Sequence, residues 1–141
     1  MIAESCNSNS VNCAASEIEL PRRNQRLPRG ILTQSEAETV LNLPDLSSEK
    51  GIRDRAMMET LYSTGIRRGE LARLKLEDLD RERGWLIIRE GKGKKDRVVP
   101  IGERALQWIE KYLEQSRPWL AREGDEGALF VSRYGRVWTG M

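Results

Sequence analysis

The hydrophobic period changes twice along this chain, and that change limits its fold more than any other feature. Between residues 33 and 76 the apolar side chains recur at helical spacing. Thr33 followed by Glu36 is a T-x-x-E capping box that starts a helix running to about Asn42, with Leu32, Val40 and Leu41 as its apolar contacts. A loop at 43–50 leads to a second helix from about Ile52 to Ser63, carrying Ile52, Ala56, Leu61 and the Met57–Met58 pair. Gly65 supplies a left-handed stop, and a third helix from about Arg67 to Leu76 buries Leu71 and Leu74 before a turn at 77–84. The period then shortens. WLIIRE (85–90) and RVVPI (97–101) are β-rich runs joined by a glycine-bearing loop, the pattern of a hairpin. It lengthens again at 103–116, where Ala105, Leu106, Ile109, Tyr112 and Leu113 share one helix face and Pro118 closes the run. ALFVS (128–132) reads as one more short strand.

The order α-α-α-β-β-α-β, with no internal repeat, predicts an α+β fold. It is mainly helical, with a small three-stranded antiparallel sheet packed on the helices. Residues 1–28 have almost no periodicity, are rich in Ser, Asn and Arg, and hold Pro21 and Pro28; they read as a tail and an interdomain type of linker. The folded part then occupies 29–141, and 141 residues suffice for one small core.

Several classes of function drop out at once. The chain contains no histidine, which excludes imidazole catalysis and His-ligated zinc. Cys6 and Cys13 match no metal or redox spacing and read as reduced thiols of a cytoplasmic protein. No metal or cofactor is expected. No run nears the roughly 20 apolar residues of a membrane span, and the first residues lack the basic start and apolar stretch of a secretory signal. A net charge of +2 conceals two basic islands. Residues 21–30 carry Arg22, Arg23, Arg26 and Arg29 and no acid, while 81–100 hold seven bases against three acids. Clustered positive charge of this kind favours phosphate backbones.

Two segments carry the chemistry. In STGIRRGEL (63–71) a glycine break delivers Arg67 to the start of a helix, with Glu70 three residues on. At that spacing the carboxylate can hold the Arg67 guanidinium in one rotamer, so that its planar fork faces a phosphate beside the first-turn N–H groups. Arg68 adds a second cation. In EGKGKKDRVVP (90–100), Gly91 and Gly93 give a hairpin loop its freedom while Lys92, Lys94, Lys95 and Arg97 load it with charge. A Walker A loop is absent. Each segment alone also reads as an ordinary charged surface.

Together, TGIRRGEL and GKGKKDRVVP some two dozen residues later resemble the tyrosine recombinase (phage integrase) family, especially its Xer-like members. The likeness runs back through RDRAMMETLYSTG and LTQSEAETVL to ELPRRNQRLPRG, which looks like the linker between that family's DNA-binding and catalytic domains. It runs forward through VVPIGERALQWIEKYL to ALFVSRYGR; residues 1–16 match nothing. The resemblance implies that Arg67 is the first catalytic arginine, Glu70 its acidic support and Lys92 the lysine of the hairpin loop. It also implies duplex DNA as partner, contacted by Arg68, Lys94, Lys95, Arg97 and the linker arginines. Other recombinase protomers join it in a synaptic complex, with no membrane and no small-molecule substrate. The implied activity is site-specific recombination or integration through a phosphotyrosyl link to DNA.

The family's remaining catalytic residues follow its third strand: a His/Lys-x-x-Arg motif, a further His or Trp, and the nucleophilic tyrosine. The sequence stops at Met141, before any of these positions. Tyr62 and Tyr112 read as core aromatics and Tyr134 as a turn residue. The chain therefore reads as a C-terminally truncated part of a catalytic domain, unable to cleave DNA alone. The other readings are a non-catalytic DNA-binding or interaction module, and the remnant of a decayed recombinase gene.

Overall fold

The computed structural model describes residues 30–89, 95–122 and 124–137. Cys6, Cys13, the linker arginines, Lys92 and Lys94 lie outside the described residues. Every helix and strand falls in the compact unit Leu32–Met141.

Helix α1 (Gln34–Leu41) starts as its sequence predicts. Thr33 Oγ1 accepts from the Glu36 amide, and the Glu36 carboxylate accepts from the Thr33 amide at 2.7 Å, closing the capping box. Of its expected apolar contacts only Leu41 is buried; Leu32 and Val40 are exposed. Helix α2 (Glu49–Thr64) begins three residues earlier than its hydrophobic period implied, because Ser48 caps it through the Gly51 amide. Gly51 sits where a Cβ would stand 1.8 Å from the Asp45 carbonyl oxygen, so the first turn of α2 lies directly on the preceding loop. The helix ends at Gly65, whose φ of 64° is the left-handed stop. Helix α3 (Arg68–Arg73) is six residues long, with Arg67 at its N-cap, and a 3-10 turn follows at Leu76–Asp78.

The sheet has three antiparallel strands in the order β1 (Leu79–Asp80), β2 (Trp85–Ile88), β3 (Arg97–Pro100). Leu79 pairs with Leu86, and Ile88 with Arg97 at the loop end of the hairpin. Its composition corrects one expectation. Residues 128–132 do not form the third strand; β1 does. Ala128 and Val131 make only isolated bridges, to Lys75 and Val137. The Leu129 amide donates to the Leu74 carbonyl, and Ala128, Leu129, Phe130 and Val131 are spent as core. Apolar composition marked the segment as buried, and burial was satisfied without a ladder.

Helix α4 (Glu103–Gln115) lies against α2, and α5 (Arg117–Leu120) carries Pro118 in its first turn, where a missing N–H costs nothing. α4 thus stops at Ser116, whose hydroxyl donates to the Glu49 carbonyl, rather than at the proline. The core joins Ile52 and Ala56 of α2, Leu71 and Leu74, Leu86 and Ile88 of β2, and Ile109 and Tyr112 of α4. Tyr112 stacks on Phe130 with centroids 5.4 Å apart, and its hydroxyl accepts from the Val131 amide. Met57 and Leu61 are partly buried against this core. Tyr62, expected inside, is exposed on α2. Among the described residues no helix is long and apolar enough to cross a membrane.

Candidate active site

Gly65 turns the chain so that Ile66 enters the core while Arg67, next along, is held outside it. The backbone reversal fixes where Arg67 emerges; its rotamer was expected to come from Glu70. The structure assigns Glu70 differently. One carboxylate oxygen, Oε2, accepts from the backbone N–H of Arg67 at 2.9 Å, completing the exposed donor set at the start of α3. The side-chain partner is Arg97 of β3, whose fork reaches Oε1 at 2.9 Å and Oε2 at 2.7 Å. Glu70 therefore organises the Arg67 main chain and grips the hairpin, instead of pairing with the Arg67 guanidinium.

That geometry explains its acidity. Glu70 is buried, with a side chain 2% exposed, and burial alone would raise its pKa. The Arg97 fork, then the Arg67 amide and the charges of both arginines, outweigh it and hold the carboxyl down at about 2. The same bond raises the Arg97 pKa. The acid stays ionised at any pH of interest, and its charge is already matched.

The result is an open cleft of about 300 Å³ lined by Gly65, Arg67, Lys95, Asp96 and Arg97. Three of its five residues are cations, with Arg67 from the start of α3 and Lys95 and Arg97 from the hairpin. Arg68 is exposed beside Arg67. Asp96 is the one acid of this lining, and Glu70, just outside it, is committed to Arg97. Such a site takes a small anion rather than an apolar ligand. α3 is too short for its macrodipole to add much, so the side chains carry the charge. A larger hollow of about 370 Å³ has an apolar floor of Leu74, Ile88, Ala128 and Val137. It borders Glu70, Asp78 and Arg89. Among the described residues no three His, Cys, Asp or Glu side chains gather as metal ligands would.

The family model described as the phage integrase family matches residues 31–139, a span that contains this cleft and all the secondary structure. The chain belongs to the phage integrase family. Tyrosine recombinase XerC 2 of Ralstonia nicotianae is 51% identical over 121 residues, covering 86% of this chain and 35% of that protein. Tyrosine recombinase XerD of Yersinia pestis is 40% identical over 119 residues, covering 84% of this chain and 39% of its own length. Among solved structures, that of XerA recombinase superposes with a TM-score of 0.66 at 31% identity, over 84% of this chain and 39% of that one. The XerH site-specific recombinase bound to difH substrate, in its pre-cleavage complex, gives 0.65 at 26%, over 82% and 33%. The chain thus spans little more than a third of the phage integrase family members it matches.

Sequence reasoning missed two buried carboxylates held by arginines, Asp78 and Glu59, and one buried arginine, Arg53. Asp78 grips Arg89 at 2.6 Å. Glu59, 2% exposed, is shared by Arg55 and Arg104. Arg53 donates to the Val131 carbonyl. Charged residues on a polar-looking helix gave no sign of burial; only their spacing at Arg55–Glu59 (i, i+4) was available as a signal.

Proposed function

We propose that this chain carries the phosphate-gripping half of a tyrosine recombinase active site and acts in site-specific DNA recombination. The observation that carries the reading is the convergence of Arg67, Lys95 and Arg97 on one open cleft whose lining holds a single acid, Asp96. The substrate is double-stranded DNA, and further recombinase protomers complete the assembly. Residues 29–141 are the leading part of the catalytic domain and 1–28 a tail and interdomain type of linker; Arg22, Arg23, Arg26 and Arg29 track the DNA backbone.

The chemistry sets the roles. When a tyrosine oxygen attacks a phosphodiester, negative charge gathers on the non-bridging oxygens as the 5′-oxygen departs. Arg67, placed rigidly by Gly65 and by the bond from its amide to Glu70, donates to those oxygens. A preorganised donor of this kind is worth about 100- to 1,000-fold in rate. Lys92, three positions before Lys95 in the sequence, protonates the leaving 5′-oxygen, a contribution of about 100- to 10,000-fold. Glu70 touches no substrate. It fixes the Arg67 main chain, and through Arg97 the hairpin. Arg68, Lys94 and Lys95 contact neighbouring phosphates.

The test is binding of a fluorescent 20-base-pair duplex over a salt series. With about three to five phosphates neutralised, log K falls against log salt with a slope of about −3 to −5 for any duplex sequence. Binding that ignores salt, or no binding at low salt, defeats the proposal.

A further inference from the structure

The cleft is built by one acid that does two things, and the fold contains a second acid that does the same two. Eight residues after Glu70, the side chain of Asp78 is 3% exposed. Its Oδ2 accepts from the Lys75 amide at 2.9 Å, as Glu70 accepts from the Arg67 amide, each reaching back three residues. Its Oδ1 accepts from Arg89 Nε at 2.6 Å, as Glu70 accepts from Arg97. Arg89 also approaches exposed Glu77 at 3.5 Å.

The two arginines are not scattered. Ile88 pairs with Arg97 at the loop end of the hairpin, and Arg89 follows Ile88. One arginine therefore stands on each strand at the same end, and both are gripped from one short stretch of chain, 70–78. Adjacent strands lie about 5 Å apart, so bonds at both resist a rotation that a bond at one would permit. The rest of the hairpin is secured from a single side. Leu86 and Ile88 are buried, while Trp85 and Val98 stand half-exposed on the other face. A buried carboxylate is retained at a desolvation cost that only full pairing offsets, and both oxygens of each acid are used.

We propose that Arg89 is a positioning residue, clamped by Asp78 as Arg97 is by Glu70. Together the two clamps fix where the hairpin stands over the segment that presents Arg67. Their effect on DNA rests on the phosphate reading above; their geometry does not.

Two measurements on the full 141-residue chain test it, using Asp78→Asn and Arg89→Gln singly and combined. The first is hydrogen exchange without DNA. Each single variant should speed exchange of the protected amides in residues 97–99 by about five- to tenfold, through local opening alone. Core amides of Ala56 and Ile109 should keep their rates, and the double variant should match the singles. Equal acceleration in core and hairpin would mean that the pair merely stabilises the fold, and would overturn the proposal. The second is affinity for the 20-base-pair duplex. Removing an acid beside a basic cleft tightens DNA binding by charge alone, so Coulomb's law and positioning predict opposite signs for Asp78→Asn. Positioning predicts binding about three- to tenfold weaker. Tighter or unchanged binding refutes a role in the cleft. If the unaltered chain binds no duplex, the phosphate reading fails, and exchange alone decides the clamp.

Discussion

Replacing Glu70 by Gln removes the charge beneath the cleft while keeping its size and one acceptor for the Arg67 amide. The gap between its pKa of about 2 and the ordinary 4.5 corresponds to about 3 kcal/mol of folding free energy at most. Arg97 is 41% exposed, so solvent screens part of that bond, and about 1–2 kcal/mol is the expected loss at pH 7. The pH dependence follows from the direction of the shift. A depressed carboxyl pKa gives stability that is complete above the unfolded value of about 4.5 and disappears as pH falls towards 2. The wild-type advantage over Glu70→Gln should therefore be full at pH 7, reduced at pH 3.5 and nearly gone at pH 2. Urea unfolding followed by tryptophan fluorescence at these three pH values measures it. A difference below about 0.3 kcal/mol at pH 7, or one that persists undiminished to pH 2, would show that Arg97 and the Arg67 amide do not hold the charged form.

Three further outcomes are expected. The 141-residue chain should form no covalent adduct with a nicked suicide DNA substrate, because Tyr112 is buried with its hydroxyl bonded to the Val131 amide and neither Tyr62 nor Tyr134 lines the cleft; a denaturing gel showing a DNA-linked band would refute this. Gly51→Ala should cost more than about 2 kcal/mol in urea unfolding, since its Cβ would overlap the Asp45 carbonyl, whereas Gly65→Ala, in open space at φ 64°, should cost only about 1 kcal/mol of backbone strain. Tyr112→Phe should lose about 1–2 kcal/mol by leaving the Val131 amide unpaired in the interior, read from the same unfolding curves.

What the sequence made legible was whatever depends on neighbours a few residues apart. Thr33 and Glu36, Gly65, and the β-rich run of β2 announce themselves within one turn or one strand, and the helical face of α4 within four turns. Long-range pairing was invisible. Glu70 stands three residues from Arg67 and 27 from Arg97, so spacing favoured the wrong guanidinium. β1 escaped because two residues, Leu79 and Asp80, are too few to show a period. Residues 128–132 were apolar enough for a strand, and nothing local distinguishes a strand from a buried segment bridged at single points. The candidate site was half readable: Arg67, Lys95 and Arg97, singled out from two separate motifs, line one cleft, but that Arg97 spends its fork on Glu70 appears only in three dimensions.

The attachment of α1 has a consequence for how the molecule loosens. Leu41 is its only buried side chain, and the helix is otherwise tied down by polar bonds: Arg104 forks onto Glu38 at 2.6 and 2.7 Å, and Arg55 donates to the Leu41 carbonyl and to Asn42. Both arginines share Glu59, and Arg55 lies 4.8 Å from the centre of the Trp108 ring. An element secured by charge instead of apolar area responds to solvent by different rules from the core it touches. Screening weakens the exposed Arg104–Glu38 link as ionic strength rises, while apolar burial between α2 and α4 is untouched or strengthened. Concentrated salt therefore loosens the Arg104 end of the first helix, while its buried anchorage through Arg55 and Leu41 holds.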